Sequence, residues 1–561
     1  MVQILQKFIN KIFEHWKMLV LLLIGFFFRF LLIKCQSVVS FDEVNYIKLA
    51  AYGALNGVTN VFHPYWAPFY PFVVSLFSKI ISNFEFSARF VSVLSGSLLI
   101  VPLYFLARLR LSPKASIISV AMLALYPPLS LLSTKIITEP LYTLLGISGI
   151  LIAWYCLQKQ WRLLAFGAGI IFGMTYLTRP EGVGFILVFL ILNLFLLIKN
   201  LIEKKKNKYI QLILISVLGF IMISSPYLLF LHKKTGEWTI SAKRKSLQQA
   251  EADVFKHKKK DRQFRKLSAD NKSLLIDQMF HTGNFITAEE ERGKPVVQVT
   301  LFLLGQKYFK NIHELTNMIV PKVIPLTLAV FLILGLFNSI GSRERSIYDL
   351  YLLSFIFFFW GIVIPMFHIN HRYFLPLLPL CFIWAGKGLL IFHTWLQNFL
   401  NKLIVFRKKK LCIQILSVII VVIFLLMSYV PGLAKIIFNN SVKTDRWSNP
   451  VEYKKAGLWL KENCDDPPIV MSHYQTVSYY AGNYNISESV SIPFNRIHRV
   501  LEYAKHRDVD YIVLSERYVS LFPLIKNLFY KNDIPEDLKI VYSFEAESGL
   551  QVVIYKLIYD R

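Results

Sequence analysis

The chain has 561 residues, of which 55% are hydrophobic and 15% aromatic, and its mean hydropathy is +0.47. This composition excludes a soluble protein of this size and is typical of a polytopic membrane protein. A formal net charge of +28 can indicate nucleic-acid binding, but the lysines and arginines form short clusters between apolar runs, as topology signals do. The sequence contains no zinc-finger spacing, no phosphate loop and no Gly-x-Gly-x-x-Gly turn, so soluble nucleotide and DNA chemistry lack support.

Apolar runs dominate the first three quarters of the chain. Each of eleven runs is long enough to cross roughly 30 Å of hydrocarbon as a helix, which takes about 17 to 25 residues. A shorter run, 67–81, contains Pro68 and Pro71 and is predicted to be an interfacial helix. The first run follows a basic flank, and no small-residue cleavage site comes after the run, which predicts an uncleaved first helix. The eleven runs are 18–34, 86–107, 115–132, 140–157, 162–178, 183–199, 209–231, 318–338, 349–368, 374–395 and 411–430.

Short basic clusters predict the orientation of these helices. With a cytoplasmic N-terminus, alternate crossings place nearly all of the clusters on the inner side, as the positive-inside rule requires. If 67–81 were counted as a crossing, these clusters would lie on the outer side. With eleven crossings, the basic loop 232–317 lies outside, and long segments are translocated largely regardless of their charge. The inner clusters are Arg108, Arg110 and Lys114; Lys159 and Arg162; Lys199, Lys204, Lys205, Lys206 and Lys208; Arg343 and Arg345; and Lys402 with Arg407 to Lys410.

The same topology collects acids, arginines and histidines from five segments on the outer side. Taken singly, each has a structural explanation: Arg89 as an interfacial anchor, Arg179 and Glu181 as an internally paired helix end, and His63-Pro64 as a turn. Their coincidence on one side favours a functional site. These residues are Asp42, Glu43, His63, Arg89, Glu139, Arg179, Glu181, His371 and Arg372.

Adjacent carboxylates at Asp42 and Glu43 lie just beyond the first apolar run. Acids within a few residues of a bilayer carry a solvation cost, so a chemical role is the default hypothesis; the alternative is a solvated loop. A carboxylate can deprotonate an incoming hydroxyl, and arginines can neutralise the charge that grows on a phosphate leaving group. The combination predicts a phosphate-linked donor carried by a membrane lipid.

Several motifs together resemble the GT-C membrane glycosyltransferases, and within them the bacterial branch related to protein O-mannosyltransferases and lipid A aminoarabinose transferases. The resemblance covers residues 18–430 and is strongest before residue 185. It rests on Asp42-Glu43 with Tyr46, on His63-Pro64 with Pro68-Phe69-Tyr70-Pro71, on Ala88-Arg89-Phe90-Val91-Ser92-Val93-Leu94-Ser95-Gly96, on Tyr176-Leu177-Thr178-Arg179-Pro180-Glu181-Gly182, and on Arg372-Tyr373 before Pro376 and Pro379.

The resemblance implies a polytopic α-helical membrane protein with about 11 transmembrane helices and outer juxtamembrane helices. It implies a polyprenyl-phosphate sugar donor, an outward-facing site in a bacterial inner membrane, and inversion at the anomeric carbon. Asp42 takes the place of the catalytic carboxylate, here as general base, and Glu43 orients the acceptor or the base. Arg89 and Arg372 are placed on the donor phosphate. The further substrate-binding candidates are Tyr46, His63, Glu139, Arg179, Glu181, His371 and Tyr373.

Cofactor and domain predictions complete this picture. No cofactor is expected; Asp42, Glu43, His63 and Glu139 could supply ligands to a divalent metal, as in the more distant oligosaccharyltransferases, but the nearer relatives imply a metal-independent site. Residues 1–430 are predicted to form the catalytic module, with a first outer loop at 35–85. The tail 431–561 alternates helices and strands, which predicts a small extracytoplasmic α/β domain. His473, His498 and His506 in this tail are predicted to lie on its surface.

The expected partners are the lipid-linked sugar donor, a lipid, glycan or protein acceptor, and membrane lipids, including anionic head groups that the basic loop 232–317 could contact; no nucleic acid is expected. Two other functions also fit many helices and outer charges. One is a ligase that moves a preassembled glycan from a carrier. The other is a lipid or glycan transporter, although the sequence shows no internal repeat of the kind that transporters use.

Overall fold

The computed structural model describes residues 15–39, 42–205, 208–241, 301–338, 343–366, 370–403, 415–417, 419–420, 423, 429, 450–493, 496–547 and 549–559. The chain divides into two compact units. The first unit comprises residues 1–35, 89–225 and 300–438, and the second comprises 36–88, 226–299 and 439–561. The predicted division at residue 430 stays a prediction.

Long apolar helices confirm a multi-pass helical membrane protein. Within the described residues, seven helices are long and apolar enough to cross a membrane, and a bent pair, Gly305–Val323 with Leu326–Phe337, would make eight. The seven are Trp16–Cys35, Phe84–Arg108, Glu139–Lys159, Pro180–Ile202, Tyr209–Thr235, Arg345–Met366 and Leu378–Lys402.

Some predicted crossings have a different local structure. The run 115–132 is two helices, Pro113–Ala124 and Pro127–Leu132, because Tyr126 precedes a proline and adopts an extended backbone. The run 162–178 is a single helix, Arg162–Thr178. The run 318–338 contains the bend of 98°. Most of the run 411–430 lies outside the described residues, as do residues 242–300 of the predicted basic loop.

Two glycines bring helices of the first unit into close contact. A Cβ atom on Gly335 would collide with the Trp384 carbonyl, and one on Gly388 would collide with the Phe331 carbonyl. Small residues at helix crossings are the usual means by which membrane helices approach closely, since the packing gain does not depend on a hydrophobic driving force. The helices Leu326–Phe337 and Leu378–Leu403 therefore pack in close backbone contact in this unit.

Shorter helices connect these elements. In the second unit, Asp42–Asn56 (the Asp42 helix) is followed by the turn Val58–Val61 and by Phe69–Ser78, which lies within the predicted interfacial run 67–81. In the first unit, several of the crossing helices named above consist of consecutive helical segments, and His371–Phe374 is a separate short helix. The segments are Ile33–Cys35, Val183–Ile202, Leu301–Glu314, Leu315–Ile319, Val320–Val323, Arg343–Ile356, Phe357–Val363, Ile364–Met366 and His371–Phe374.

A five-stranded sheet confirms the small α/β domain near the C-terminus. Its order is β2-β1-β3-β5-β4, with β1 parallel to β2 and β3, and β5 antiparallel to β3 and β4. The strands are β1 Val470–Ser472, β2 Val490–Ser491, β3 Tyr511–Ser515, β4 Leu538–Glu545 and β5 Gln551–Leu557, and the longer helices are Val451–Asn463, Thr476–Tyr480 and Ile497–His506.

Histidine placement corrects one prediction about this domain. His498 and His506 are exposed, as expected. His473 is half-buried, with its ring centroid 4.5 Å from that of Tyr518 and 5.2 Å from that of Phe522. Burial lowers the pKa of His473 to about 4, so the ring is neutral at physiological pH. The prediction that His473 lies on the surface was wrong because its aromatic neighbours come from a distant part of the chain.

Candidate functional site

Five predicted site residues of the first unit come together around one buried carboxylate. Glu139 Oε1 lies 2.6 Å from Arg179 Nη1 and 3.5 Å from Arg372 Nε. Arg179 Nη2 also lies 3.3 Å from Glu181 Oε1. The phenol of Tyr373 accepts a hydrogen bond from Arg372 Nη2 at 3.4 Å. We call Glu139, Arg179, Glu181, Arg372 and Tyr373 the arginine cluster.

Aromatic faces help to hold the two guanidinium groups of the cluster. Arg179 lies over the ring of Tyr373 at 4.9 Å and over that of Tyr142 at 5.6 Å, and Arg372 lies over Tyr373 at 5.3 Å. Cations on aromatic faces are attracted by the ring quadrupole. Tyr142, one helical turn beyond Glu139, was missed at the sequence level, although this spacing puts both residues on one helix face.

Local backbone structure explains how each member of the cluster is presented. Glu139 begins the helix Glu139–Lys159, with Pro140 in its first turn, so the carboxylate lies at the positive end of the helix dipole. Arg179 is the extended residue between the helix Arg162–Thr178 and the turn Pro180–Gly182. The backbone N–H of Arg372 donates to Asn370 Oδ1 at 3.1 Å. The cluster therefore forms where three separate helical segments begin or end.

Arg89 is buried elsewhere in the first unit. It is 2% exposed, and its Nη1 donates to the Thr134 carbonyl at 3.0 Å. Thr134 precedes the turn that leads into Glu139, so Arg89 braces the segment from which the cluster starts. The predicted contact of Arg89 with a donor phosphate stays a prediction. The side chain of His371 lies outside the described residues.

The predicted catalytic carboxylates lie in the second unit, where Asp42 and Glu43 form the first turn of the Asp42 helix. The unpaired N–H groups and the dipole at a helix N-terminus stabilise negative charge there. Glu43 is buried, while Asp42 is only half-buried. Of the two carboxylates, Asp42 is thus the one that remains more open to an incoming group.

Tyr46 and His63 shape the surroundings of this helix. The Tyr46 ring packs edge-on against Trp66 at 5.1 Å and Tyr70 at 5.7 Å. His63 Nδ1 accepts the backbone N–H groups of Tyr65 and Trp66 at 3.1 and 3.2 Å, and the Tyr227 hydroxyl donates to the His63 carbonyl at 3.0 Å. Through these hydrogen bonds, His63 holds the turn that follows it.

Lys48 is a buried residue of the Asp42 helix that the sequence interpretation did not identify. Its side chain is 0% exposed, and its ammonium donates to Ser478 Oγ at 3.1 Å and to Ser489 Oγ at 2.5 Å. The sequence signal was a single lysine inside the apolar stretch Tyr46-Ile47-Lys48-Leu49-Ala50. A charged residue on an apolar helix face indicates a specific partner, although the partner itself cannot be identified from the sequence.

Metal ligands do not cluster in the described part of the chain, where no group of three or more histidine, cysteine, aspartate or glutamate side chains could hold an ion. Glu139, one of the predicted candidate ligands, instead faces two arginines. The prediction of a cofactor-free site stays a prediction.

Comparison with known proteins found one family model that matches part of the sequence and several solved structures of similar fold. The family model described as dolichyl-phosphate-mannose-protein mannosyltransferase matches residues 63–229. No curated protein matches the chain in sequence.

Solved structures resemble the chain along almost its whole length. The oligosaccharyltransferase of Archaeoglobus fulgidus, tethered to an acceptor peptide, is 14% identical with a TM-score of 0.55, over 97% of this chain and 74% of that one. The oligosaccharyltransferase AglB of Archaeoglobus fulgidus, in complex with an inhibitory peptide and a dolichol-phosphate, is 14% identical with a TM-score of 0.54, over 97% of this chain and 74% of that one. ArnT of Cupriavidus metallidurans bound to undecaprenyl phosphate is 13% identical with a TM-score of 0.54, over 96% of this chain and 97% of that one.

Proposed function

Because this chain has the GT-C fold of membrane glycosyltransferases, as its sequence motifs predicted, we propose that it transfers a sugar from a polyprenyl-phosphate carrier to a hydroxyl or phosphate acceptor. Support for the donor class comes from two proteins of similar fold, whose solved structures contain undecaprenyl phosphate and a dolichol-phosphate. The matched mannosyltransferase family model supports transfer of a single sugar.

The observation that carries this proposal is the arginine cluster. Two guanidinium groups share one buried carboxylate, and the side chain of Arg372 is still 30% exposed. A guanidinium that is held in place and reached from solvent is suited to bind phosphate, since its N–H groups match phosphate oxygens. Preorganised cations also stabilise the negative charge that develops on a leaving phosphate.

In the proposed reaction, Asp42 removes the proton from the acceptor hydroxyl. The acceptor oxygen attacks the anomeric carbon while the bond from that carbon to the carrier phosphate oxygen breaks, which inverts the configuration. The electron pair of that bond leaves on the polyprenyl phosphate, where Arg89 and Arg372 offset the added charge. Glu43 orients Asp42 or the acceptor. A general base of this kind typically contributes about 10²–10⁴-fold to the rate.

The proposal includes a location. The basic clusters of the sequence favour a cytoplasmic N-terminus, with the site and the C-terminal domain on the outer face of a bacterial inner membrane. A lipid-linked sugar suits that face as donor, because its lipid carrier keeps the sugar in the membrane next to the site. Labelling single cysteines introduced at Lys159 and at Asp466 in intact cells and in inverted vesicles tests this orientation.

The deciding experiment is transfer by the purified protein in detergent. A panel of short polyprenyl-phosphate sugars serves as donors, with membrane lipids and glycans as acceptors. We expect Asp42→Asn to lower turnover about 10²–10⁴-fold, a chelator to leave it unchanged, and Asp466→Asn, at an exposed loop position, to match the wild type. Full turnover by Asp42→Asn would remove Asp42 from the mechanism, and no turnover with any donor would refute the proposal.

A second candidate is a ligase that transfers a whole glycan from a diphosphate carrier. The similarity in fold to an oligosaccharyltransferase favours it. The same assay separates the two functions when diphosphate-linked oligosaccharides are added to the donor panel. Turnover with those donors and not with monophosphate sugars would establish the ligase.

A further inference from the structure

Lys48 binds the Asp42 helix to the C-terminal α/β domain. Its ammonium reaches two serines of that domain, Ser478 in the helix Thr476–Tyr480 and Ser489 immediately before strand β2. All three side chains are buried. The lysine lies on the same helix as Asp42 and Glu43, so this contact concerns the segment that carries the proposed catalytic carboxylates.

Neighbouring hydrogen bonds extend the same contact to the residues that lead into the helix. The backbone N–H of Val39 donates to the Tyr480 hydroxyl at 3.1 Å, and Thr476 Oγ1 donates to the Val39 carbonyl at 3.1 Å. The Tyr480 hydroxyl in turn donates to Glu85 Oε2 at 3.0 Å. The start of the Asp42 helix is thereby held on both sides, at Val39 before it and at Lys48 within it.

Burying the charged Lys48 side chain is energetically unfavourable, which a contact that only stabilised the fold would avoid. The hydrogen-bond partners of Lys48 are hydroxyl groups. The carboxylate that influences its charge, Glu488, instead accepts hydrogen bonds from Asn483 and Asn485. Burial lowers the pKa of Lys48 to about 7, and Glu488 opposes that change. An apolar side chain of similar length would fill the same space without the desolvation penalty, since burying a charge without an opposite charge is unfavourable.

Geometry links this contact to the proposed active site. Lys48 follows Asp42 by six residues and Glu43 by five, which is about 9 Å and 7.5 Å along a helix. Those residues form one continuous helix. A helix transmits rotation about its axis rigidly over this length, so fixing Lys48 fixes the direction in which Asp42 and Glu43 point.

We propose that Lys48 is a positioning residue, which locks the Asp42 helix onto Ser478 and Ser489 of the C-terminal domain and thereby sets the orientation of the catalytic carboxylates. This inference rests on the proposed function. It assigns to the C-terminal domain a part in catalysis that does not require contact with either substrate. Lys48 is enclosed and acts through the helix.

The test compares Lys48→Met and Ser489→Ala with a matched control, Lys505→Met, in the full-length protein. Lys505 belongs to the same domain and pairs with Asp537 at 2.9 Å on the surface. The measurements are turnover at saturating substrates, the KM for donor, and hydrogen exchange of the Asp42 helix and of strands β1 and β3. Because a displacement of about 1 Å can cost about 10²-fold in rate, we expect turnover to fall 10- to 100-fold in Lys48→Met.

We also expect the KM for donor to stay within about twofold of wild type, since the proposed donor-phosphate residues belong to the first unit. Faster hydrogen exchange should be confined to the Asp42 helix. Ser489→Ala should show the same pattern more weakly, and Lys505→Met should show none of it. Should Lys48→Met fail to fold, Ser489→Ala and Ser478→Ala carry the test.

Two results would overturn the inference. Wild-type turnover in Lys48→Met would show that the contact does not orient the base, and faster exchange throughout β1 and β3 would show that Lys48 only stabilises the domain. These outcomes are distinct from failure of the proposed function. If Asp42→Asn loses turnover while Lys48→Met keeps it, the function stands and the positioning role falls.

Discussion

Two buried glutamate–arginine pairs in this molecule use the same chemistry in different settings. In the first unit Glu139 is 2% exposed, while its partners Arg179 and Arg372 are 12% and 30% exposed. In the C-terminal domain Glu452 is 1% and Arg517 is 4% exposed. The first pair remains open to a ligand through its arginines, and the second is closed on every side.

In the closed pair, one carboxylate is paired with one guanidinium group. Arg517 donates two hydrogen bonds to Glu452, from Nε to Oε1 and from Nη2 to Oε2 at 3.0 Å, and Ser515 Oγ donates to Oε1 at 3.4 Å. In the open cluster one carboxylate serves two guanidinium groups. The arginine cluster therefore leaves part of a guanidinium group accessible to solvent, whereas the Glu452–Arg517 pair does not.

The first prediction concerns the closed Glu452–Arg517 pair. Glu452→Gln leaves Arg517 buried without its opposite charge, and breaking a buried pair in this way costs about 3–5 kcal/mol. We expect hydrogen exchange in strands β3 and β5 to accelerate accordingly, with the donor KM unchanged. Glu462→Gln, at an exposed position of the same helix, is the control. A weaker donor affinity in Glu452→Gln, without loss of stability, would contradict the distinction between open and closed pairs.

A second prediction concerns the open cluster. Arg372→Gln removes one guanidinium while Arg179 still neutralises Glu139, so the unit should stay folded. A charge-assisted hydrogen bond to a phosphate contributes about 1.5–3 kcal/mol, which corresponds to a donor KM raised about 10- to 100-fold. Arg372→Lys should recover only part of this, because lysine lacks the planar fork.

The control for that change is Arg499→Gln, at a surface pair with Glu502. It should leave donor KM unaltered. An Arg372→Gln enzyme with normal donor KM but a lower unfolding midpoint would show that the open cluster is structural, like the closed pair.

The smallest expected effect tests the aromatic support of the cluster. Tyr373→Leu removes the ring that contacts both Arg179 and Arg372. A cation–π contact contributes about 0.5–2 kcal/mol, so donor KM should rise about 2- to 30-fold. Tyr373→Phe keeps the ring and loses only the hydroxyl, and it should resemble the wild type. If Tyr373→Phe is as impaired as Tyr373→Leu, the phenol hydroxyl and not the ring supports the arginines.

Much of the architecture could be predicted from the sequence because its signals are local. Continuous apolar stretches establish membrane-spanning helices, and alternating short elements after residue 450 establish the small α/β domain. The order and spacing of the motifs from Asp42 to Arg372 predicted the GT-C fold, which the solved structures of similar fold confirm. These features depend on neighbouring residues and on the high cost of exposing polar backbone to lipid.

Long-range packing, which the sequence does not reveal, determines which polar residues become partners. Glu139, Arg179 and Arg372 come from three distant segments, and nothing in their local sequence specifies that one carboxylate serves both arginines. The apolar stretch around Lys48 indicates a partner, but the sequence does not identify Ser478 and Ser489 as that partner. Local composition determines where a charge lies along an element, whereas its desolvation and its partner depend on long-range packing, so the fold alone distinguishes an open charge cluster from a closed one.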